Sequence, residues 1–264
     1  MTPARSTPQS LGYRTDLMFA RWNGLLEDKG EYLLVRTPSN PSFYWGNFLL
    51  FAQPPQAGDL ERWETLFVEH FPQAQHRAYG IDGTAGEVGE VQPFLTAGFT
   101  LERSVVLTAT RSHAPPRMNP EAEVRPLKTD ADWDSALELQ ILCRDPVHSL
   151  EGYRSFKAAQ MRNHRLLTEL GLGEWFGAFL RGKLVADCGL FFSSELGRFQ
   201  SVGTHPEHRR QGLCGRLIYE ASQYGFAKGA ETLVMVADPE YHAARIYGSV
   251  GFAALEQQVA LQKF

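Results

Sequence analysis

The most informative stretch of this chain is Val202-Gly-Thr-His-Pro-Glu-His-Arg-Arg-Gln-Gly-Leu-Cys-Gly-Arg-Leu217. It predicts the end of a strand, then a turn rich in Arg and Gly, then the first turn of an amphipathic helix. A helix N-terminus presents unpaired N–H groups and the positive end of its dipole, so it favours an anion. Gly212 lacks a Cβ and lets a pyrophosphate approach, while Arg209 and Arg210 add positive charge. The stretch therefore predicts an anion-binding turn, with a solvated basic helix start as the alternative.

The sequence on either side of this turn predicts a mixed α/β domain over residues 122–264. Its predicted order is β-α-α-β-β-β-α-β-α-β. The helix that follows the turn covers 211–228, because apolar residues recur there at helical spacing. We expect the other helices to begin at Asp130 as N-cap and to cover 150–170 and 242–250. The predicted strands cover 123–127, 175–180, 184–192, 199–204, 232–236 and 259–263.

Residues 13–110 predict a second, shorter domain of the same class. Its predicted elements are strand-rich runs over 31–36 and 43–51, a helix over 59–71 and a strand over 102–109. Residues 1–12 predict a loose terminus, 82–90 a loop, and 111–121 (RSHAPPRMNPE) a linker between the two domains.

An internal repeat connects the two halves. Phe94-Leu-Thr-Ala-Gly-Phe99 matches Tyr247-Gly-Ser-Val-Gly-Phe252, and each Gly-Phe is followed by Leu-Glu and a strand-rich ending. Upstream, Pro54 precedes the helix of the first half as Pro206 precedes that of the second, at nearly the same offset. Two anchors at one offset predict tandem copies of one unit, the first of them shortened at its front; chance similarity is the alternative.

Composition excludes several classes of protein. With 43% hydrophobic and 21% charged residues the chain is too apolar to be disordered, and its net charge of -4 argues against a nucleic-acid-binding protein. No apolar stretch approaches the length of a membrane span or a secretory signal. Three widely spaced cysteines, Cys143, Cys188 and Cys214, exclude a disulfide framework or a cysteine zinc site and indicate a cytoplasmic protein.

Two motifs of the second half resemble those of one family. Arg209-Arg-Gln-Gly-Leu-Cys214 resembles the Q/R-x-x-G-x-G/A motif of the GNAT acetyltransferases, with Cys214 where Gly or Ala is usual. Ala243-Ala-Arg-Ile-Tyr-Gly-Ser-Val-Gly-Phe252 is similar to that family's A-x-x-L-Y-x-x-x-G-F signature, while Glu240 stands where many members have Asn. The resemblance covers about 122–264. It implies two tandem GNAT-like domains, each a mixed, mostly antiparallel sheet flanked by helices.

The resemblance also implies a chemistry: acetyl-CoA as donor, a primary amine as acceptor, direct attack on the thioester, and no metal. By position, Tyr247 is the general acid that protonates the leaving thiolate. The backbone of Val202, Gly203 and Thr204 is expected to hold the pantetheine arm and the thioester carbonyl. The expected pyrophosphate site comprises Arg209, Arg210, Gln211, Gly212, Leu213, Cys214 and Gly215. The first copy has Phe94 in place of Tyr247 and has no Arg-x-x-Gly motif, so we expect it to have lost donor binding.

Several points remain open from the sequence. The general base is Asp187, Glu174, His205 or a water molecule, and Asp145 and His148 are candidate acceptor contacts. A metal at His205 and His208 and a nucleophilic Cys214 are weaker hypotheses than a surface turn and simple packing. The acceptor is a small molecule or a peptide, with no nucleic acid or membrane partner, and the oligomeric state is not predicted. Two other functions are a non-catalytic acyl-CoA sensor and a transferase for a longer acyl group.

Overall fold

The computed structural model describes residues 7–147, 149–239 and 243–264. The first half of the chain contains helices α1 (Leu11–Asn23), α2 (Asp59–His70) and α3 (Gln92–Thr96). Its strands are β1 (Leu25–Asp28), β2 (Tyr32–Arg36), β3 (Phe48–Phe51), β4 (Arg77–Ile81) and β5 (Thr100–Ala109). The second half contains helices α4 (Asp130–Leu142), α5 (Leu150–Glu169), α6 (Leu213–Ala227) and α7 (Ala243–Val250). Its strands are β6 (Glu123–Pro126), β7 (Gly173–Leu180), β8 (Lys183–Ser193), β9 (Leu196–Thr204), β10 (Thr232–Ala237) and β11 (Ala253–Lys263).

The chain forms two compact units, and their bounds differ from the domains expected from sequence. One unit comprises Met1–Val106 together with Leu255–Phe264, and the other comprises Leu107–Ala254. Most of β11 therefore belongs to the first unit, although the sequence places this strand at the end of the second copy. The division into 13–110, 111–121 and 122–264 follows the internal repeat, whereas the compact units follow packing.

The first unit is built on a sheet with strand order β1-β2-β3-β4-β11. All neighbours are antiparallel except β3 and β4, which are parallel and connected through α2. Strands β2, β3 and β4 are buried on both faces. Leu34 and Leu49 share one core with Trp63 of α2, whereas Leu33 and Leu50 share another with Leu17 of α1. The alternation of side chains along a strand thus explains why a helix packs on each face.

Helix α1 is an element that the sequence did not predict. Its N-cap is Ser10, whose side chain accepts from the backbone of Tyr13. Asp82 accepts hydrogen bonds from the backbone of Gln9 and Ser10, and Glu256 of β11 accepts one from Leu11. Two carboxylates therefore stabilise the positive end of this helix. The interpretation of 1–12 as a loose terminus is wrong for Leu11 and Gly12, and residues 1–6 lie outside the described residues.

The second unit is built on a sheet with strand order β6-β7-β8-β9-β10. Its strands are antiparallel except β9 and β10, which are parallel and connected through α6. Trp175 of β7 contacts Trp133 of α4 and His164 of α5, whereas the next residue, Phe176, contacts Tyr224 of α6. Helices α4 and α5 therefore cover one face and α6 covers the other.

The two units share one pattern, as the internal repeat predicted. In each, a parallel pair of strands flanks a helix that is preceded by a glycine with positive φ: Gly58 at 87° before α2 and Gly212 at 76° before α6. The predicted fold class, two GNAT-like units of mixed and mostly antiparallel sheet flanked by helices, is confirmed. In the part of the chain that the structure describes, none of the helices has the length and apolar character needed to cross a membrane.

Candidate active site

A β-bulge interrupts the pairing of β8 and β9 at the point where the sequence placed the acyl group. Gly189 is opposite Gln200 and Asp187 is opposite Gly203, so Ser201 and Val202 together face the single residue Cys188. Ser201 has a φ of 48°, a left-handed conformation that is uncommon for a residue with a side chain. A bulge of this kind bends a strand and redirects its backbone groups.

Strands β9 and β10 separate next to this bulge. Their parallel pairing ends at Val234 and Arg198, while β9 continues to Thr204 and β10 to Ala237. Past that pair, none of the described residues of β10 is paired with β9, so the peptide groups of β9 that point towards β10 have no partner among them. Unpaired N–H and C=O groups along a strand edge are available to a ligand. The separation therefore provides the backbone polar groups that the sequence placed at Val202–Thr204.

Helix α6 follows the end of β9 after a short turn, and its N-terminus has no side-chain cap among the described residues. The first turn of the described helix holds no acidic residue. Arg210 and Gly212 both have positive φ, at 60° and 76°, so the turn before the helix coils tightly. The first N–H groups of a helix have no partner inside the helix, and an uncapped start leaves them for an anion.

These elements enclose a cavity of about 910 Å³. It brings together ten of the eleven residues that the sequence selected: Val202, Gly203, Thr204, Arg209, Arg210, Gly212, Leu213, Cys214, Gly215 and Tyr247. Gln211 is the exception, since its side chain donates to the backbone oxygen of Glu207. The other described residues that line the cavity are Pro115, Pro116, Arg117, Cys143, His208, Arg245, Ile246 and Ser249. Four arginines and no Asp or Glu are among the described lining residues, so the cavity favours an anionic ligand.

The segment that the sequence assigned to a linker packs on the start of α6. The backbone of Asn119 donates to the oxygen of Gly212 at 3.3 Å, and Arg216 donates to the backbone oxygen of Asn119 at 2.6 Å. A Cβ on Gly212 would lie 3.0 Å from the backbone of Arg117 and of Asn119. Glycine at 212 is thus required by its positive φ and by the approach of this segment. The expectation that its open side faces the ligand is not supported, and Arg117 joins the cavity as a cation that sequence reasoning missed.

Tyr247 lies in α7, is 6% exposed and lines the cavity. Its backbone oxygen accepts from the N–H of Phe252, and the rings of these two residues meet edge to face with 6.5 Å between centroids. The Gly251 between them has a φ of 119°, which ends α7 and returns the chain towards Tyr247. The spacing of Tyr247 to Gly-Phe therefore fixes the position of the phenol at the cavity wall.

Comparisons with known proteins identify the family to which part of this chain belongs. Residues 133–252 match the model of the acetyltransferase (GNAT) family. This part of the chain is a GNAT acetyltransferase domain. The match includes every predicted site residue, from Val202 to Tyr247, and the family indicates acyl transfer as the type of reaction. A search of the curated proteins gave no match.

Solved structures show the same fold over both units. A GCN5-related N-acetyltransferase from Kribbella flavida is similar at 16% identity and a TM-score of 0.64, covering 97% of this chain and 96% of that one. A functionally unknown conserved protein from Staphylococcus epidermidis is similar at 14% identity and a TM-score of 0.70, and the match covers 90% of this chain and 92% of that one. A tandem GNAT protein from the clavulanic acid biosynthesis pathway is similar at 12% identity and a TM-score of 0.58, and the match covers 98% of this chain and 90% of that one. The similarity at these identities concerns the fold, which is that of two GNAT-like domains in tandem.

The three side chains considered as general base do not line the cavity of the GNAT domain. Asp187 is fully buried, Glu174 accepts a hydrogen bond from Tyr224 at 3.2 Å, and His205 lies beside a separate surface depression with Lys183. Burial raises the pKa of Asp187 to about 7, against the opposing effects of Trp175, Gln140 and Lys157. Direct contact of any of these three groups with an amine in the cavity is therefore not supported.

Cys214, the pair His205 and His208, and the acceptor contacts Asp145 and His148 are the remaining candidates from the sequence. Burial raises the pKa of the Cys214 thiol to about 12, so the helix start does not activate it. The rings of His205 and His208 lie 5.3 Å apart, and among the described residues no three His, Cys, Asp or Glu side chains form a metal site. The carboxylate of Asp145 accepts from the backbone of Val147. His148 and Glu240 lie outside the described residues.

The first unit has a different environment at the equivalent positions. Helix α2 begins with Asp59, whose carboxylate accepts from the backbone of Gln56 at 2.8 Å and from Arg62 at 2.9 Å. The lining of the crevice beside Pro54 includes Asp82 and Glu87, and it leaves no space for a water-sized sphere. Phe94, the counterpart of Tyr247, is 0% exposed and packs against Trp63 and Phe99. The start of this helix is thus neutralised by the chain itself.

Proposed function

We propose that the GNAT domain transfers the acetyl group of acetyl-CoA to a primary amine, which belongs to a small molecule or a peptide. The observation that carries this proposal is one cavity of the second unit, which combines several features. That cavity joins an uncapped helix start, an arginine-rich lining, an opened strand edge and a tyrosine, and these are four groups that one thioester donor requires. The cytoplasmic location and the absence of a metal stay predictions.

The phosphates of the donor fit the start of α6. Its free N–H groups lie on the same cavity as Arg210, Arg117 and Arg245. Guanidinium groups pair well with phosphate oxygens, and the helix dipole adds to their attraction. We assign the pyrophosphate to the turn 209–215 and expect the other arginines to contact the remaining charge of coenzyme A.

The acyl arm fits the separated edge of β9. Backbone groups of Val202–Thr204 lie on the cavity and have no strand partner in β10. An N–H aimed at the thioester oxygen stabilises the negative charge that develops when the amine attacks the carbonyl carbon. Binding both reactants at this edge also supplies proximity, so no covalent enzyme intermediate is required.

Tyr247 is assigned the last step. The amine nitrogen forms a bond to the carbonyl carbon, the carbon–sulfur bond breaks, and the sulfur leaves as a thiolate. The phenol of Tyr247 donates its proton to that thiolate, and the resulting phenolate is neutralised from solvent. Because Asp187, Glu174 and His205 do not line the cavity, we assign both protons that the nitrogen loses to water molecules. One leaves the ammonium before attack, and the other leaves the attached nitrogen as the amide forms.

The first unit is proposed to keep the fold without binding the donor. Asp59 already supplies negative charge at the start of α2, and a phosphate there would be repelled by it. Phe94 has no proton to donate. A bound acetyl-CoA next to Pro54 and Phe94 in a co-crystal would contradict this proposal.

Two measurements on the full chain test the function. Calorimetric titration with coenzyme A and acetyl-CoA measures donor binding, and a thiol-release assay with polyamines, amino acids, aminoglycosides and peptides measures turnover. We expect micromolar binding of both ligands and release with at least one class of amine. An absence of heat and of competition with coenzyme A would contradict the whole proposal.

The same measurements separate the two alternative functions. Binding of acetyl-CoA without thiol release for any amine would favour an acyl-CoA sensor. Faster release from octanoyl-CoA than from acetyl-CoA would favour a transferase for a longer acyl group. Release only with acetyl-CoA and short acyl donors is the outcome that we expect.

A further inference from the structure

A buried polar group lies behind the bulge, on the side of the sheet that α4 covers. Asp187 of β8 is 0% exposed. Its Oδ2 accepts a hydrogen bond from the indole N–H of Trp175 at 2.9 Å, and its Oδ1 accepts one from Nε2 of Gln140 at 2.8 Å. Each carboxylate oxygen therefore has its own N–H donor, an arrangement that suits the ionised form.

Gln140 connects this carboxylate to the bulge. It lies in α4 and is 4% exposed. The same Nε2 that donates to Asp187 also donates to the backbone oxygen of Ser201 at 2.7 Å. An amide nitrogen has two hydrogens, and both are used here, so the amide bridges a buried carboxylate and the residue with left-handed backbone.

The neighbouring glycine shows how closely this pair approaches the strand. A Cβ on Gly203 would lie 2.9 Å from Oδ1 of Asp187 and 3.0 Å from Nε2 of Gln140. Gly203 and Val202 line the cavity, whereas Gln140 and Asp187 are not among its described lining residues. The pair thus contacts the backbone segment that is proposed to hold the acyl group without being part of the described lining.

We propose that Gln140 and Asp187 are positioning residues, which hold the bulge at Ser201 and so fix the backbone of Val202–Thr204 in the orientation that binds the thioester carbonyl. This inference rests on the proposed function and adds to it the residues that set its oxyanion geometry. A left-handed conformation at a residue with a side chain is strained and persists only where neighbouring groups stabilise it. Gln140 supplies that stabilisation from α4, and Asp187 fixes the orientation of Gln140.

The test replaces Gln140 with methionine, which has nearly the same shape and no N–H donor. In Gln140→Met we expect kcat to fall 10- to 100-fold, while KM for acetyl-CoA and the dissociation constant of coenzyme A change less than threefold. The matched control is Tyr224→Phe, which removes a partly buried hydrogen bond to Glu174 in the same unit, away from the bulge and the cavity. We expect its kcat to stay within twofold of the wild type.

A kcat of Gln140→Met within twofold of the wild type would overturn the proposal. So would a loss of coenzyme A affinity that matches the loss of kcat, because a merely structural role affects both. If Gln140→Met fails to fold, Gln140→Asn is the second variant, since its amide is too short to reach both partners.

A readout without turnover separates this inference from the proposed function. In amide NMR spectra of Gln140→Met we expect the resonances of Ser201, Val202 and Gly203 to move while those of Leu213–Arg216 keep their wild-type positions. Unmoved resonances at 201–203 would overturn the positioning role. A wild-type protein that shows no turnover, together with resonances that do move, would contradict the function and leave the positioning role supported.

Discussion

Individual residues of the GNAT domain differ in whether they contact the cavity. Tyr247 lines the cavity, whereas Tyr219 lies in α6 and is not among the described lining residues. Asp187 and His164 are both buried in the second unit and affect the protein through their protonation rather than through contact with the cavity. Tyr247 therefore bears on the rate of the reaction, whereas Asp187 and His164 bear on the stability of the fold.

Removal of the hydroxyl of Tyr247 is expected to slow the chemical step. In Tyr247→Phe the leaving thiolate receives no proton from the phenol, so kcat should fall about 10- to 100-fold. KM for acetyl-CoA should change less than threefold, because the ring stays in place. Steady-state thiol release measures both constants, with Tyr219→Phe as the control. An unchanged rate in Tyr247→Phe would show that another group is the acid.

Two buried groups have opposite pKa shifts, and together they predict that the free energy of unfolding changes little with pH. Burial raises the pKa of Asp187 to about 7, so its contribution to the free energy of unfolding falls as the pH rises from about 4 to 7. Burial lowers the pKa of His164 to about 3, so its contribution rises between pH 3 and about 6.5. Lys157, which faces both, has a pKa lowered to about 8 and stays charged in this range, and Cys143 stays a neutral thiol. The two slopes, each about 1.4 kcal/mol per pH unit, nearly cancel.

His164→Leu removes one of these slopes. Relative to the wild type, we expect this variant to gain about 1–2 kcal/mol of unfolding free energy when the pH falls from 6.5 to 5.0. Asp187→Asn should show the opposite sign over the same interval. Urea unfolding at the two pH values measures both. Equal pH dependence in the wild type and both variants would contradict the assigned protonation states.

Single elements determine where the ligand groups lie, and the start of α6 is the clearest case. A charge introduced at Gly212 would test the phosphate site poorly. Any side chain there would approach the backbone of Arg117 and Asn119, and it would also be strained by the positive φ of this residue. Arg209 is also unsuitable, since its Nε donates to the backbone oxygen of Thr204 at 3.3 Å. Arg210 is exposed and lines the cavity, and it therefore gives a cleaner test.

Arg210→Gln is expected to weaken coenzyme A binding about five- to tenfold, or about 1 kcal/mol. The loss should shrink as salt is raised from 50 to 500 mM, because salt screens an exposed charge. Calorimetry at both salt concentrations measures the effect. The control is Arg162→Gln, a substitution of an exposed arginine in α5 away from the cavity, which should leave the affinity unchanged. Equal affinities of wild type and Arg210→Gln at low salt would remove Arg210 from the site.

The elements also show what the sequence could predict. The helices over 59–71, 150–170 and 211–228 are observed at 59–70, 150–169 and 213–227, because each has a long apolar period and marked ends. Most of the cavity was found because two short motifs carry its residues. The bulge at Ser201 and the bridge from Gln140 were not predictable, since a register shift leaves no local pattern and Gln140 acts on a residue far along the chain. Helix α1 was missed although its N-cap, Ser10, is local, and the two carboxylates that stabilise its start, Asp82 and Glu256, are likewise distant in sequence.

The whole molecule is divided in a way that the order of the chain does not indicate. Residues 255–264 belong to the first unit, where Val259 and Leu261 share a core with Trp63 and Tyr79. Strand β11 pairs with β4 from Val259 to Lys263. The repeat predicted where one copy ends in sequence, and it could not predict that the closing strand would complete the sheet of the other unit.

A pair of leucine substitutions in β11 tests this division. Leu261 is fully buried, so Leu261→Ala should lower the unfolding free energy by about 2–5 kcal/mol. Leu255 is 59% exposed, so Leu255→Ala should change it by less than about 0.5 kcal/mol. Amide hydrogen exchange should locate the loss in β3 and β4 and leave α6 protected as in the wild type. Faster exchange in α6 alone would assign β11 to the second unit.

The position of β11 has a consequence for the order in which the chain acquires its structure. During synthesis, residues 7–106 emerge long before β11 exists. One edge of β4 therefore stays unpaired by β11 until residues 255–264 have been translated. Residues 7–106 therefore complete their sheet only after the residues that follow them have been made. A nascent chain halted near residue 250 would expose that strand edge to chaperones and proteases, whatever the state of the segment made after it.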